Sequence, residues 1–136
     1  MQVHQKDFSE ALLSTIITTE TAMKRLIERL LVKNKPVFAE KKLDLHGEFY
    51  KEGNDPFTPD YSSSVSIGVS EENGELIDLH TIKIWECQRS FLGLTTSRKI
   101  PWSTISGELL DETVEDVESE LREYMSDFLE EYPPSL

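Results

Sequence analysis

The sequence predicts an α+β domain: an antiparallel sheet of three or four strands flanked by an N-terminal and a C-terminal amphipathic helix, with residues 1–136 forming one unit. Three observations carry that prediction. Apolar residues recur at helical spacing near both ends of the chain, and between them the pattern switches to alternation, the period of a half-buried strand. An Asn73-Gly74 dipeptide separates two of the alternating runs, and that dipeptide favours the tight turn of a hairpin.

The first helix is read from Phe8, Ala11, Leu12, Ile16, Met23, Leu26, Ile27, Leu30 and Leu31, which share one face of a 3.6-residue repeat. Thr15-Ile16-Ile17-Thr18-Thr19 is rich in β-branched side chains, so a kink or a division into two helices is expected there. Asn34-Lys35-Pro36 is expected to close the segment, because proline disfavours helix in the residue before it.

Leu43, Leu45, Gly47 and Phe49 alternate with Asp44, His46, Glu48 and Tyr50, predicting a first strand. Gly53 to Asp60, with two prolines, reads as loop. Ser64–Ser70 is the next strand, and across the Asn73-Gly74 turn it should pair with one running from about Glu75 to Arg89. The alternation of that third strand slips between Leu79 and Ile82, which predicts a bulge near His80–Thr81 or burial on both faces. A fourth strand is expected around Thr96–Trp102, with Pro101 placing it at a sheet edge. Leu110, Val114, Val117, Leu121, Tyr124, Met125, Phe128, Leu129 and Tyr132 then repeat as a helix, which Pro133-Pro134 should stop.

The chain carries 14 Lys and Arg against 26 Asp and Glu, a net charge of −12. Such a balance excludes a generic nucleic-acid binder, which needs a basic footprint. The excess is localised. Residues 1–35 are +2 and residues 36–105 are −4, whereas residues 106–136 hold eleven acids against Arg122 alone, giving −10. No apolar run approaches the roughly 18 residues of a membrane span, so a membrane is not an expected partner either. The single cysteine, Cys87, excludes an internal disulfide and a cysteine-only zinc site, and no secretory h-region opens the chain; a cytoplasmic setting is expected.

Any function of the acidity must therefore lie in the last quarter. Glu112, Glu115, Asp116, Glu120, Glu123 and Asp127 are the candidate partner-binding residues there, since a row of carboxylates can steer a basic protein into register. Two accounts compete with this: a solvated face that only confers solubility, and neutralisation by Lys24, Arg25, Arg29 and Lys33 of the first helix, within the chain or across a dimer. Phe91 and Leu92 join the candidate surface, because Ser90-Phe91-Leu92-Gly93-Leu94 puts large apolar side chains in an expected turn. Exposed, they would anchor a partner; buried, they would cap the core.

A different chemistry is offered by Asp44-Leu45-His46 and Asp78-Leu79-His80. Residues two apart on a strand share a face, so each Asp sits beside its His. On adjacent strands in register, the four side chains would suit a divalent transition metal or acid–base catalysis, with Cys87 as an extra ligand if the bulge turned it that way. The competing account is two stretches of solvated polar phase. A third reading is a small-ligand pocket lined by Trp85, Trp102 and Phe57, which as core residues would need no such role. Phosphate loops, nucleophile elbows and His-Glu-x-x-His are absent from the sequence, and no cofactor is expected.

In size, acidity and element order the layout resembles small acidic type III secretion chaperones and several bacterial immunity proteins. No motif carries the binding residues of either family onto this chain. The leading expectation is a non-enzymatic protein-binding module that forms a homodimer or caps a basic partner through the acidic helix. With both helices on one sheet face the other is free to pair, and the slipped third strand would give it apolar residues.

Overall fold

The computed structural model describes residues 1–132. The elements run β1 (Gln2–His4), a short 3-10 turn, α1 (Glu10–Glu40), β2 (Leu43–Glu52), β3 (Ser62–Glu71), β4 (Leu76–Phe91), β5 (Leu94–Thr95), β6 (Thr104–Leu109) and α2 (Val114–Glu131). The fold is α+β: a six-stranded antiparallel sheet in the order β1-β6-β4-β3-β2, with β5 paired to the end of β4, and two helices.

α1 starts at Ser9, whose hydroxyl accepts the Leu12 amide. It is one continuous helix of 31 residues, and neither expected interruption occurs. At the β-branched stretch, the hydroxyls of Thr15 and Thr19 bond back to the carbonyls of Ala11 and Thr15, so the threonines are accommodated within the helix. At Pro36 the missing amide leaves the Val32 carbonyl without its helical donor, but Val32 and Pro36 are exposed and water can serve that oxygen. Beyond the proline, Phe38 is fully buried and its ring lies 6.2 Å from that of Phe128. Burying a Phe side chain is worth roughly 1.5–3 kcal/mol, comparable to the cost of an internal proline. Packing carries the helix through.

α2 begins four residues later than the apolar repeat implies. Thr113 is its cap, in a reciprocal capping box with Asp116. Its far end, rich in acid, is served by Lys41, whose ammonium donates to the Leu129 carbonyl at 2.7 Å. Pro133 and Pro134, the expected stop, lie outside the described residues.

The strands depart from expectation in the second half. β2, β3 and the Asn73-Gly74 hairpin form where predicted, the turn closing with the Gly74 amide on the Glu71 carbonyl and Gly74 at φ 89°. Residues 96–103 form no strand. The strand is β6 instead, where Ile105, Gly107 and Leu109 alternate with Ser106 and Glu108. β4 carries two register shifts rather than one near His80. Val69 faces Asp78 but Ser70 faces Leu76, leaving Ile77 extra; Ser64 faces Lys83 but Ser63 faces Trp85, leaving Ile84 extra.

Both helices cover the same face of the sheet. Leu45, Val69, Ile67, Val65 and Ile82 point into it and are buried against Met23, Leu26, Ile27 and Leu30 of α1 and Val117, Leu121 and Met125 of α2. The Trp85 indole occupies the space beside Gly107 of β6, where any side chain would collide with it, and its Nε1 donates to the Pro56 carbonyl at 2.7 Å. Among the described residues the opposite face carries no helix.

Candidate functional site

The register of β2, β3 and β4 decides the fate of the two Asp-x-His pairs. β3 lies between the two strands that carry them, so they are not neighbours. Asp44 and His46 pair across β3 with Ser70 and Gly68, on the uncovered face. Asp78 and His80 pair with Val69 and Ile67, on the helix-covered face. The two pairs point to opposite sides of the sheet, because the extra residue Ile77 sets the parity of β4. The convergence required for a shared metal or catalytic centre is not present. Among the described residues no group of three or more His, Cys, Asp or Glu is placed to hold a metal ion.

Each pair has its own surroundings. His80 Nε2 lies 2.8 Å from Glu120 Oε2, its ring stacks on Tyr124 at 5.0 Å, and the Tyr124 hydroxyl donates to Asp78 at 3.1 Å. Burial, reinforced by the Asp78 carboxylate, raises the Tyr124 phenol above its ordinary range. Asp78 and His80 thus pin α2 to the sheet. His46 on the bare side lies over Gly68, with Leu79 approaching from β4; a side chain at Gly68 would displace the imidazole.

Cys87 is fully buried on the covered face, and burial followed by the nearby Asp55 and Asp60 charges pushes its thiol up to about 11. A nucleophile needs the opposite environment. Trp85 and Phe57 belong to a packed aromatic cluster with Phe8, the rings of Phe8 and Phe57 stacking at 4.6 Å. Trp102 lies elsewhere, on the loop before β6, and is 92% exposed. The three aromatics do not share a pocket.

On α2 the acids divide. Glu118 is held by Arg29 of α1 at 2.7 Å and by Arg122 at 2.6 Å, and those guanidiniums lower its carboxyl pKa. Glu120 faces His80. Glu112, which precedes the helix, is raised by partial desolvation and by Glu120 and Asp116 beside it. Glu115, Asp116, Glu123 and Asp127 are exposed. Arg29 makes the only ion pair between the two helices among the described residues; Lys24, Arg25 and Lys33 make none. The apolar stripe of α2 is consumed by the core, so its outer face offers charge without an anchoring side chain.

The bare sheet face, expected to be free to pair, has a shape that sequence reasoning did not supply. Down its centre runs β3 with Ser62, Ser64, Ser66, Gly68 and Ser70, small residues that form a trough. Taller side chains of β2 and β4 flank it, and Tyr50, Leu76 and Leu79 among them are half-exposed. Asp44, Glu48, Glu52, Glu86 and Glu108 point to the same side, against Lys83, which pairs with Glu86 at 3.2 Å, and the Met1 ammonium, which lies 3.5 Å from Glu108. Where β6 ends beside β4 the face deepens into a cleft of about 290 Å³ whose walls include Lys83, Glu86, Glu108, Asp111 and Glu112. The alternation of serines with Val65, Ile67 and Val69 is the signal that could have revealed the trough.

No family model, no curated protein and no solved structure matches the chain. No helix is long and apolar enough to cross a membrane among the described residues.

Proposed function

We propose that this protein is a non-enzymatic, cytoplasmic binding module that holds a basic, amphipathic segment of a protein partner on the bare face of its sheet. One observation carries this reading: half-exposed Leu76, Leu79 and Tyr50 share that face with five carboxylates, of which only Glu86 and Glu108 have a cation beside them, Lys83 and the Met1 ammonium. Interfaces need apolar anchors for affinity and charge for register. The bare face offers both, whereas the outer face of α2 offers charge alone. The same arithmetic bears on the homodimer. Two copies paired through this face would oppose ten carboxylates, so a basic partner suits it better than a second copy.

The test is NMR titration of the labelled protein with a synthetic peptide of alternating Arg and Leu. Shift changes should concentrate on Asp44, Glu48, Tyr50, Leu79 and Glu86. Affinity should fall as salt rises, and Leu79→Ser should weaken it about tenfold, the worth of a buried leucine anchor. Shifts confined to α2 would move the partner to the acidic helix, and absence of binding would remove the reading.

A further inference from the structure

The segment from Cys87 to Gly107 is chemically unlike the rest of the chain. In a protein of net charge −12 it contains no acid and three bases, Arg89, Arg98 and Lys99. It also holds the most exposed large apolar side chains of the sheet's β4 end: Leu92 is 85% exposed, Leu94 73% and Trp102 92%. β4 and β5 meet there in a two-residue turn, Leu92-Gly93, at φ 52° and 80°. The antiparallel pairing of Ser90 with Thr104 brings the loop with Trp102 to the same end of the sheet. Arg89 ties that loop down through Ser103 at 3.1 Å.

Folding gives no reason for these residues. Leu92 and Trp102 both adopt the left-handed backbone conformation, which is costly for a side chain with a Cβ and would suit Asn or Gly better. Exposed as they are, they gain little packing in return.

We infer that this tip is a peripheral docking site for an anionic phospholipid bilayer. A convex hairpin tip has little surface to offer a flat protein partner, but a bilayer closes around it. Leu92 and Leu94 are shaped to enter the acyl boundary. Trp102 suits the headgroup layer, where its ring is favoured, and Arg98 and Lys99 beside it suit the lipid phosphates. The protein's overall negative charge does not oppose this. The acids stand back from the tip: Asp60, whose amide bonds the Cys87 carbonyl, lines with Glu52 a cavity that reaches Thr95, and Glu86 and Glu108 form a cross-strand pair one residue further back. At the strand rise the five residues from Cys87 to Leu92 span about 17 Å, roughly two screening lengths at physiological salt. The lack of a spanning helix concerns crossing a membrane and leaves surface contact untouched.

The experiment is co-sedimentation of the full chain with vesicles of phosphatidylcholine alone and of phosphatidylcholine with phosphatidylglycerol. Binding is expected only to the anionic vesicles, with a blue shift of Trp102 emission, since Trp85 is already buried. Replacing Arg98 and Lys99 together by Gln should lower partitioning about 25-fold, at roughly fivefold per base. Leu92→Asp and Trp102→Ser, each with an unchanged circular dichroism spectrum, should abolish the binding and the shift respectively. No binding to anionic vesicles overturns the inference, as does binding that survives all of these substitutions. A lipid-free oligomer that Leu92→Asp dissociates would overturn it too, assigning the tip to a second copy of the chain.

Discussion

Two stretches of identical sequence, Asp44-Leu45-His46 and Asp78-Leu79-His80, end in opposite environments. In the first, Leu45 is buried under the helices while Asp44 faces water and His46 rests on Gly68. In the second, the leucine is half-exposed on the bare face while the aspartate and histidine grip Tyr124 and Glu120 of α2. Nothing in the tripeptide distinguishes them. The difference comes from strand parity, which a single extra residue inverts, and Ile77 is that residue in β4. A local motif on a strand therefore carries chemistry only once the bulges upstream of it are known. The same parity separates a core face, where substitution should be costly, from a bare face free for binding.

The largest expected effect breaks or confirms that division directly. Ile67 and Thr81 lie one residue out of phase across the β3–β4 ladder, Ile67 fully buried and Thr81 exposed on the bare side. Ile67→Ala should cost about 2–5 kcal/mol in urea unfolding, and Thr81→Ala no more than about 0.5 kcal/mol. A large loss at Thr81 would mean that the bare face is covered in solution, by a second copy or a rearranged element.

Much of this layout is legible in the sequence because it follows from local rules. The apolar stripes of both helices, the alternation of β2 and β3 and the Asn73-Gly74 hairpin all depend on residues close in the chain. The misreadings have tertiary causes. Pro36 ends helices by local sterics, yet Phe38 finds a core site that outweighs it. Leu110 falls in phase with the helical repeat, but Thr113 and Asp116 make the cap, so residues before it belong to strand and turn. The Ile105-Gly107-Leu109 alternation is present to be read, but Gly107 hides it: its inward position is filled by Trp85 from the next strand. As for the site, Leu92 is legible as a candidate because a large apolar residue stands in a turn. Whether it packs or projects depends on what the fold brings beside it, and nothing on the page of the sequence says that Trp102 shares its end of the sheet.

A smaller effect sharpens the comparison of the two tripeptides. His80→Ala removes a hydrogen bond to Glu120, leaves that carboxylate beside Glu112, and loses the stack on Tyr124. A cost of about 1–2 kcal/mol is expected from these combined losses. His46→Ala removes only contacts on the bare face and should cost about 0.5 kcal/mol or less. Equal costs, measured in the same denaturant series at neutral pH, would show that parity does not govern the roles of these histidines.

The smallest expected effect is a slope. Tyr124, on the second tripeptide's aspartate, and Tyr61, which donates to the buried Glu20 at 2.6 Å, both have phenols raised above their ordinary value, burial being the first cause in each. An acid whose folded pKa is raised loses its proton first in the unfolded chain. The unfolded state then binds fewer protons than the native one, and stability falls as pH rises. The contribution is whole below the unfolded tyrosine value of about 10 and is lost progressively above it, through the folded values. Stability measured across this window should decline, and Tyr124→Phe should flatten the decline by removing one of the two groups. The steepness belongs to the covered face, where Asp78 and Tyr124 meet. Asp44→Asn, the matched change on the bare face, should leave the slope as it is; a slope that responds to Asp44 instead would show that the first tripeptide, not the second, faces the helices in solution.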